Sequence, residues 1–161
     1  MASPPHLHLS NQLCLALYSA GNALSRAYRP MLEPLDLTYP QYLVMLALWE
    51  VDGVSVSDIC ERTRLDTGTV TPLLKRLAAK GLLVRARSEE DERRRVISLT
   101  EAGQALQARA EDVPFRMACL GVLTPEEGIE LKRLAETLYR NLARLEQVRG
   151  AEGSASQESA E

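Results

Sequence analysis

The chain has 161 residues, 45% of them hydrophobic and 25% charged, with a net charge of −3. That is enough for one good core, or for a small domain plus an assembly layer, with ordinary globular composition. No run of 18 apolar residues occurs, and residues 1–8 lack the basic-then-apolar pattern of a secretory signal, so a cytoplasmic location is expected. Cys14, Cys60 and Cys119 are odd in number and widely spaced, which fits neither a disulfide framework nor a zinc site. His6 and His8 lie in a segment without apolar support, and neither a metal nor a cofactor is expected.

The charge is unevenly spread. Residues 62–95 hold ten Lys or Arg against five Asp or Glu, a local +5 that leaves −8 for the rest. A basic block in an acidic chain points to an anionic partner at one place. Charge alone favours the plainer reading of a solvated face.

In chain order, residues 1–9 and 149–161 are expected to be disordered, since the tail has no large apolar residue. Ser10 suits an N-cap for a first helix to about Tyr28, with Leu13, Leu17, Ala20 and Leu24 on one face and Arg29 and Pro30 ending it. Thr38 or Tyr39 opens a second helix to Val51, stopped at Asp52 and Gly53. Ser55 with Asp58 three residues on is a capping box for a short helix to about Thr63. Asp66 caps the next helix, which ends before Gly81. Two short helices joined by a tight turn have helix-turn-helix spacing. Residues 82–87 and 94–99 alternate as paired strands, with Arg95, Ile97 and Leu99 on one face and a wholly polar loop between: a wing. Thr100 caps a fifth helix, interrupted near Asp112, Val113 and Pro114. Thr124, Pro125 and Glu127 open a last helix to about Gln147, whose Leu131, Leu134, Leu138, Leu142 and Leu145 suit a helix–helix seam.

The expected fold is mainly α with a small β-hairpin wing: a winged helix-turn-helix. Residues 1–9 form a tail, 10–51 N-terminal helices for dimerisation and sensing, 52–100 the DNA-binding domain, 101–148 C-terminal dimerisation helices, and 149–161 a second tail. The N-terminal turn of a recognition helix meets base edges and phosphates in the major groove. The candidate residues there are Asp66, Thr67, Gly68, Thr69 and Thr71, followed by Lys75 and Arg76 and then Lys80; some of these three cations are expected to face away from DNA or to touch backbone only. In the wing they are Arg85, Arg87, Asp91, Arg93 and Arg94. Asp91 is spaced to orient Arg93, and an arginine at a hairpin tip suits the negative minor groove. Pro72 breaks a helical hydrogen bond, so either the helix bends there or its regular part starts after Asp66.

The stretches LDTGTVTPLLKRL at 65–77, GLLVRARSEEDER at 81–93 and ISLTEAG at 97–103 resemble the MarR family. NQLCLALY at 11–18 and LTYPQYL at 37–43 look like its organic hydroperoxide-sensing branch, and the resemblance covers about residues 8–147. It implies a homodimer with interlocked terminal helices and two winged domains, each reading half of a palindromic operator in double-stranded DNA. It also implies a sensing thiol at Cys14, with Tyr28 and Tyr39 of the other subunit hydrogen-bonding the thiolate. In one subgroup a second cysteine forms an intersubunit disulfide, and Cys119 matches that position; Cys60 matches no role. A thiolate at a helix start, beside phenolic donors and leucines, suits attack on an organic hydroperoxide. Two rivals stand beside this redox repressor: a MarR-type repressor answering a noncovalent phenolic or lipid ligand, and a thiol peroxidase, against which the basic segment argues.

Overall fold

A computed structural model of the chain describes residues 4–87 and 95–158, with backbone alone for Arg87, Arg95 and residues 149–158. Two units are described separately, residues 1–119 and 120–161.

The first unit opens with two short 3-10 turns, Pro5–Leu7 and Leu9–Asn11, and then α1, Leu13–Leu32. Ser10 therefore sits in a turn and Gln12 takes the N-cap position. Pro30 lies inside α1, two residues before its end, so it does not stop the helix at Arg29. Packing overrides its local cost: Met31 and Leu32 beyond it are buried in the core.

After a 3-10 turn, Glu33–Leu35, and Asp36 in the left-handed region (φ 52°), α2 runs Tyr39–Glu50. Its start is fixed by Gln41 Oε1, which accepts from the Thr38 amide at 3.0 Å. The helix-turn-helix follows as α3, Val56–Thr63, and α4, Thr67–Ala79. Ser55 and Asp58 cap α3 reciprocally at 2.9 and 3.1 Å. Arg64, at φ 58°, makes the turn.

Helix α4 runs unbroken through Pro72 from an Asp66 N-cap, so its regular part does not start after the proline. Val70, Leu73, Leu74 and Leu77 bury one face of α4. Gly81, with φ +70°, ends the helical run as the chain turns into the hairpin.

Strands β1, Leu83–Arg87, and β2, Arg95–Leu99, pair antiparallel with Leu83 opposite Leu99 and Arg85 opposite Ile97. The expected facing holds: Ile97 is buried, and Leu83 across from Leu99 is too. The Ile97 amide also donates to the Val54 carbonyl at 2.8 Å, tying the hairpin to the segment before α3.

Thr100 Oγ1 accepts from the Gly103 amide at 3.1 Å and caps α5, Glu101–Ala110; α6 follows at Val113–Ala118. Both pack with the first unit: Leu106, Ala110 and Val113 belong to the same core as Leu48, Leu74 and Ile97. The division of the chain thus falls after Cys119, not after Thr100, because α5 closes the core of the winged unit.

The second unit is α7, Pro125–Glu158. Thr124 and Glu127 cap it reciprocally at 2.9 and 3.2 Å. It continues past Gln147 into the expected tail, where no proline interrupts its backbone hydrogen bonding. None of its residues through Val148 is buried, and Leu131, Leu134, Leu142 and Leu145 are each about half exposed or more. Among the described residues no helix is long and apolar enough to cross a membrane.

Candidate nucleic-acid interface and redox site

The start of α4 is built by one carboxylate. Asp66 Oδ1 accepts from the Thr69 amide at 2.8 Å and Oδ2 from the Thr69 hydroxyl at 2.7 Å. These bonds hold the Asp66 carboxyl below the usual carboxylate range. Asp66 therefore shapes the helix start, and its charge is occupied there.

A side chain at Gly68 would place its Cβ 3.0 Å from the capping Asp66 Oδ1, which explains the glycine. Thr67, Gly68, Thr69, Lys75 and Arg76 are exposed and Thr71 is half-buried, so the first turn of α4 offers amides and hydroxyls with two cations behind. Lys80 does not join them. It pairs with Asp36 Oδ2 at 3.0 Å, at the far end of the helix.

In the hairpin, Arg85 is exposed in mid-strand, and Arg87 ends β1 opposite Arg95. Asp91, Arg93 and Arg94 lie outside the described residues. The base of the wing is held by Asp52 Oδ1, which accepts from the Leu99 amide at 2.9 Å, and by Thr100, whose hydroxyl donates to the Gly81 carbonyl at 2.6 Å.

Cys14 is the second residue of α1, a free and exposed thiol where the helix dipole favours an anion. Leu13, Leu15 and Leu17 around it are exposed as well. Tyr28 and Tyr39 are brought together, with ring centroids 4.8 Å apart. Burial pushes both phenols up in pKa, so they remain neutral hydrogen-bond donors at physiological pH.

Cys14 and Tyr28 lie on the same helix fourteen residues apart, roughly 21 Å at about 1.5 Å per residue. One chain cannot bring its own thiol to its own tyrosine pair. Cys119, also free and exposed, is the C-cap of α6. Cys60 is half-buried in α3, its sulfur 3.7 Å from the Thr67 hydroxyl.

Sequence reasoning missed Tyr42 and Trp49. Tyr42 is buried 6.1 Å from Tyr28, and Trp49 meets Tyr42 edge-on at 6.3 Å. Their signal was present: residues 39, 42, 46 and 49 recur at three, four and three, one face of a helix. An open cleft of about 310 Å³ lies beside Tyr39, lined also by Asn22, Ser25, Arg26, Arg29 and Thr38.

Helix-turn-helix and hairpin define a winged-helix DNA-binding protein, and its N-terminal helix carries an exposed thiol. The comparisons agree. A family model described as transcriptional regulator SarA/Rot matches residues 26–109. The organic hydroperoxide resistance transcriptional regulator of Bacillus subtilis (strain 168) is 46% identical over 88% of this chain and 95% of its own length.

AbfR of Staphylococcus epidermidis, solved reduced and bound to DNA, is 34% identical and superposes with a TM-score of 0.70 over 85% of this chain and 94% of that one. Its disulfide form gives 0.56 over 81% and 92%. Bordetella bronchiseptica BpsR, whose DNA binding is regulated by 6-hydroxynicotinic acid, is 25% identical with a TM-score of 0.75 over 85% and 98%. The chain belongs to the MarR family of winged helix-turn-helix transcriptional regulators, in its organic hydroperoxide resistance branch. It is a regulator of transcription, not an enzyme.

Proposed function

We propose that the chain is a homodimeric repressor that binds a palindromic operator when reduced and releases it when an organic hydroperoxide oxidises Cys14. The observation that carries this reading is the paired Tyr28 and Tyr39 phenols, 4.8 Å apart, out of reach of their own chain's Cys14. A second copy that lays the start of its α1 over this pair supplies the thiol. The unpartnered apolar residues of α1 (Leu13, Leu17, Leu24) and α7 (Leu131, Leu134, Leu142) give such a dimer its buried surface.

The chemistry balances in two steps. The Cys14 thiolate attacks the distal peroxide oxygen; the O–O bond breaks, sulfur is oxidised by two electrons to a sulfenic acid, and the alkoxide leaves and takes up one proton to become the alcohol. The thiolate of Cys119 of the partner subunit then attacks that sulfur. A disulfide forms and, with one proton, the sulfenic oxygen leaves as water. AbfR, similar to this chain, has been solved in a disulfide form.

DNA contacts are assigned to the start of α4 (Thr67, Gly68, Thr69 and Thr71), to Lys75 and Arg76, and to the wing arginines Arg85, Arg87, Arg93 and Arg94. Asp66 and Asp91 act by positioning them. Footprinting the reduced protein on an operator before and after cumene hydroperoxide tests the reading: protection should vanish on oxidation and return with dithiothreitol. Protection that persists on fully oxidised protein overturns it.

One observation favours a second reading. The cleft beside Tyr39 carries the polar and cationic side chains Asn22, Arg26 and Arg29, suited to a noncovalent phenolic or carboxylate effector, and BpsR is regulated by such a compound. Under that reading Cys14→Ser still responds fully to the inducer.

A further inference from the structure

Between the tyrosine pair and the wing runs an unbroken line of direct contacts. Tyr39, Tyr42 and Trp49 share one face of α2, spanning about 15 Å of a rigid helix. Tyr42 is 3% exposed and packs against Tyr28 at one end and Trp49 at the other. The indole Nε1–H of Trp49 donates to the Gly103 carbonyl in α5 at 2.9 Å, a bond between residues 54 apart in sequence. Gly103 in turn sits directly on the wing's root. A Cβ there would lie 2.0 Å from the Leu82 carbonyl oxygen and 3.2 Å from Leu99 Cδ2. That same Leu82 carbonyl accepts from the Thr100 amide, joining the two ends of the hairpin.

We infer that the Trp49–Gly103 hydrogen bond is the link that carries the state of the Tyr28–Tyr39 pair to the wing, with Tyr42 as the contact that hands it along α2. The inference rests on the redox reading above. Two features make this route stiffer than the rest of the core. The contact at Gly103 has no side chain to absorb a shift, since backbone meets backbone. The Trp49 donor is half-buried, so a displaced α2 must either carry Gly103 with it or leave that donor unpaired. A sensing event that moves Tyr39 at the start of α2 is therefore delivered by Trp49, near its end, to α5 and the hairpin root. Tyr28 and Tyr39 take the partner's thiol, so each wing answers to the cysteine of the other subunit. Trp49 and Gly103 touch neither DNA nor peroxide and act as positioning residues.

Lying in between is not by itself coupling, so the test measures coupling. Operator affinity is compared for reduced and cumene hydroperoxide-oxidised protein, for the natural chain and for Trp49→Phe, which keeps an aromatic ring against Tyr42 and removes the N–H. Allosteric couplings run from about 5- to 150-fold. The natural chain is expected to lose tenfold or more in affinity on oxidation. Trp49→Phe is expected to bind as tightly when reduced, to oxidise Cys14 at the same rate, and to lose less than about threefold. A variant that oxidises normally and still releases DNA like the natural chain overturns the link and leaves the redox reading intact. A natural chain that stays bound when oxidised overturns both.

Trp49 is the single tryptophan, so its emission gives a reading without mutation. Oxidation should shift its wavelength or intensity in the natural chain, and unchanged emission alongside full DNA release also overturns the inference.

Discussion

Two side chains hold most of the chemistry at the residue scale, and each has a predicted consequence. Cys14 is an exposed thiol in the first turn of α1. Cys14→Ser should bind operator like the natural chain in a gel shift and lose its peroxide response, leaving less than a twofold change in affinity. On the proposed redox reading, Tyr39 donates its phenol to the Cys14 thiolate of the partner subunit. Tyr39→Phe removes a hydrogen bond to an anion, worth about 1.5 kcal/mol. The rate of Cys14 alkylation near pH 7 should then fall up to roughly tenfold, measured with a thiol-alkylating probe on the reduced protein. Asp66 gives a pH dependence of known sign. Its carboxyl is held below the usual range by Thr69, so its contribution is present above the unfolded carboxylate value of about 3.9 and is lost as pH falls through the lower folded value. Protection of the Thr69 amide, its exchange rate relative to the intrinsic rate at the same pH, should be lost only in that acid window; a loss of protection that sets in near neutrality would contradict the cap.

At the scale of elements, the joint between α5 and the hairpin is where small changes matter. Gly103→Ala places a methyl group 2.0 Å from the Leu82 carbonyl oxygen, and backbone cannot step aside as a flexible side chain would. Overpacking of this kind costs about 1–3 kcal/mol. Urea unfolding should show it as a lowered midpoint, and the hairpin should move before α4 does because the strain falls on Leu82 and Leu99. The α3 cap is milder: Ser55→Ala should cost about 1 kcal/mol.

For the whole molecule, binding to DNA through Lys75, Arg76 and the wing arginines should weaken steeply with salt. The log–log slope should be roughly −0.9 per phosphate neutralised, and Arg76→Gln should make it less negative by about one if that side chain meets a phosphate. A slope near zero for the natural chain would remove the DNA role of this face. A proposed dimer would bury the leucine face of α7, whose residues through Val148 are half-buried or exposed.

The sequence by itself determined the order of the main elements and the caps of α3, α4, α5 and α7, though not that of α1. Ser55, Asp66, Thr100 and Thr124 are local signals whose side chains reach amides three residues away, so they are legible without knowing what packs where. The alternation around Ile97 gave the hairpin's inner face for the same reason. The resemblance, not composition, singled out Cys14, Tyr28 and Tyr39. Only tertiary structure decided the rest. Pro30 sits within α1 with Met31 and Leu32 buried beyond it, and Pro72 within α4 between buried Val70 and buried Leu73, Leu74 and Leu77; that packing outweighs one lost hydrogen bond. Helix α5 belongs to the winged unit because Gly103, Leu106 and Ala110 meet partners far away in sequence. The convergence of Tyr28 and Tyr39, and the hydrogen bond from Trp49 to Gly103, depend on how α1, α2 and α5 pack, which no local pattern records.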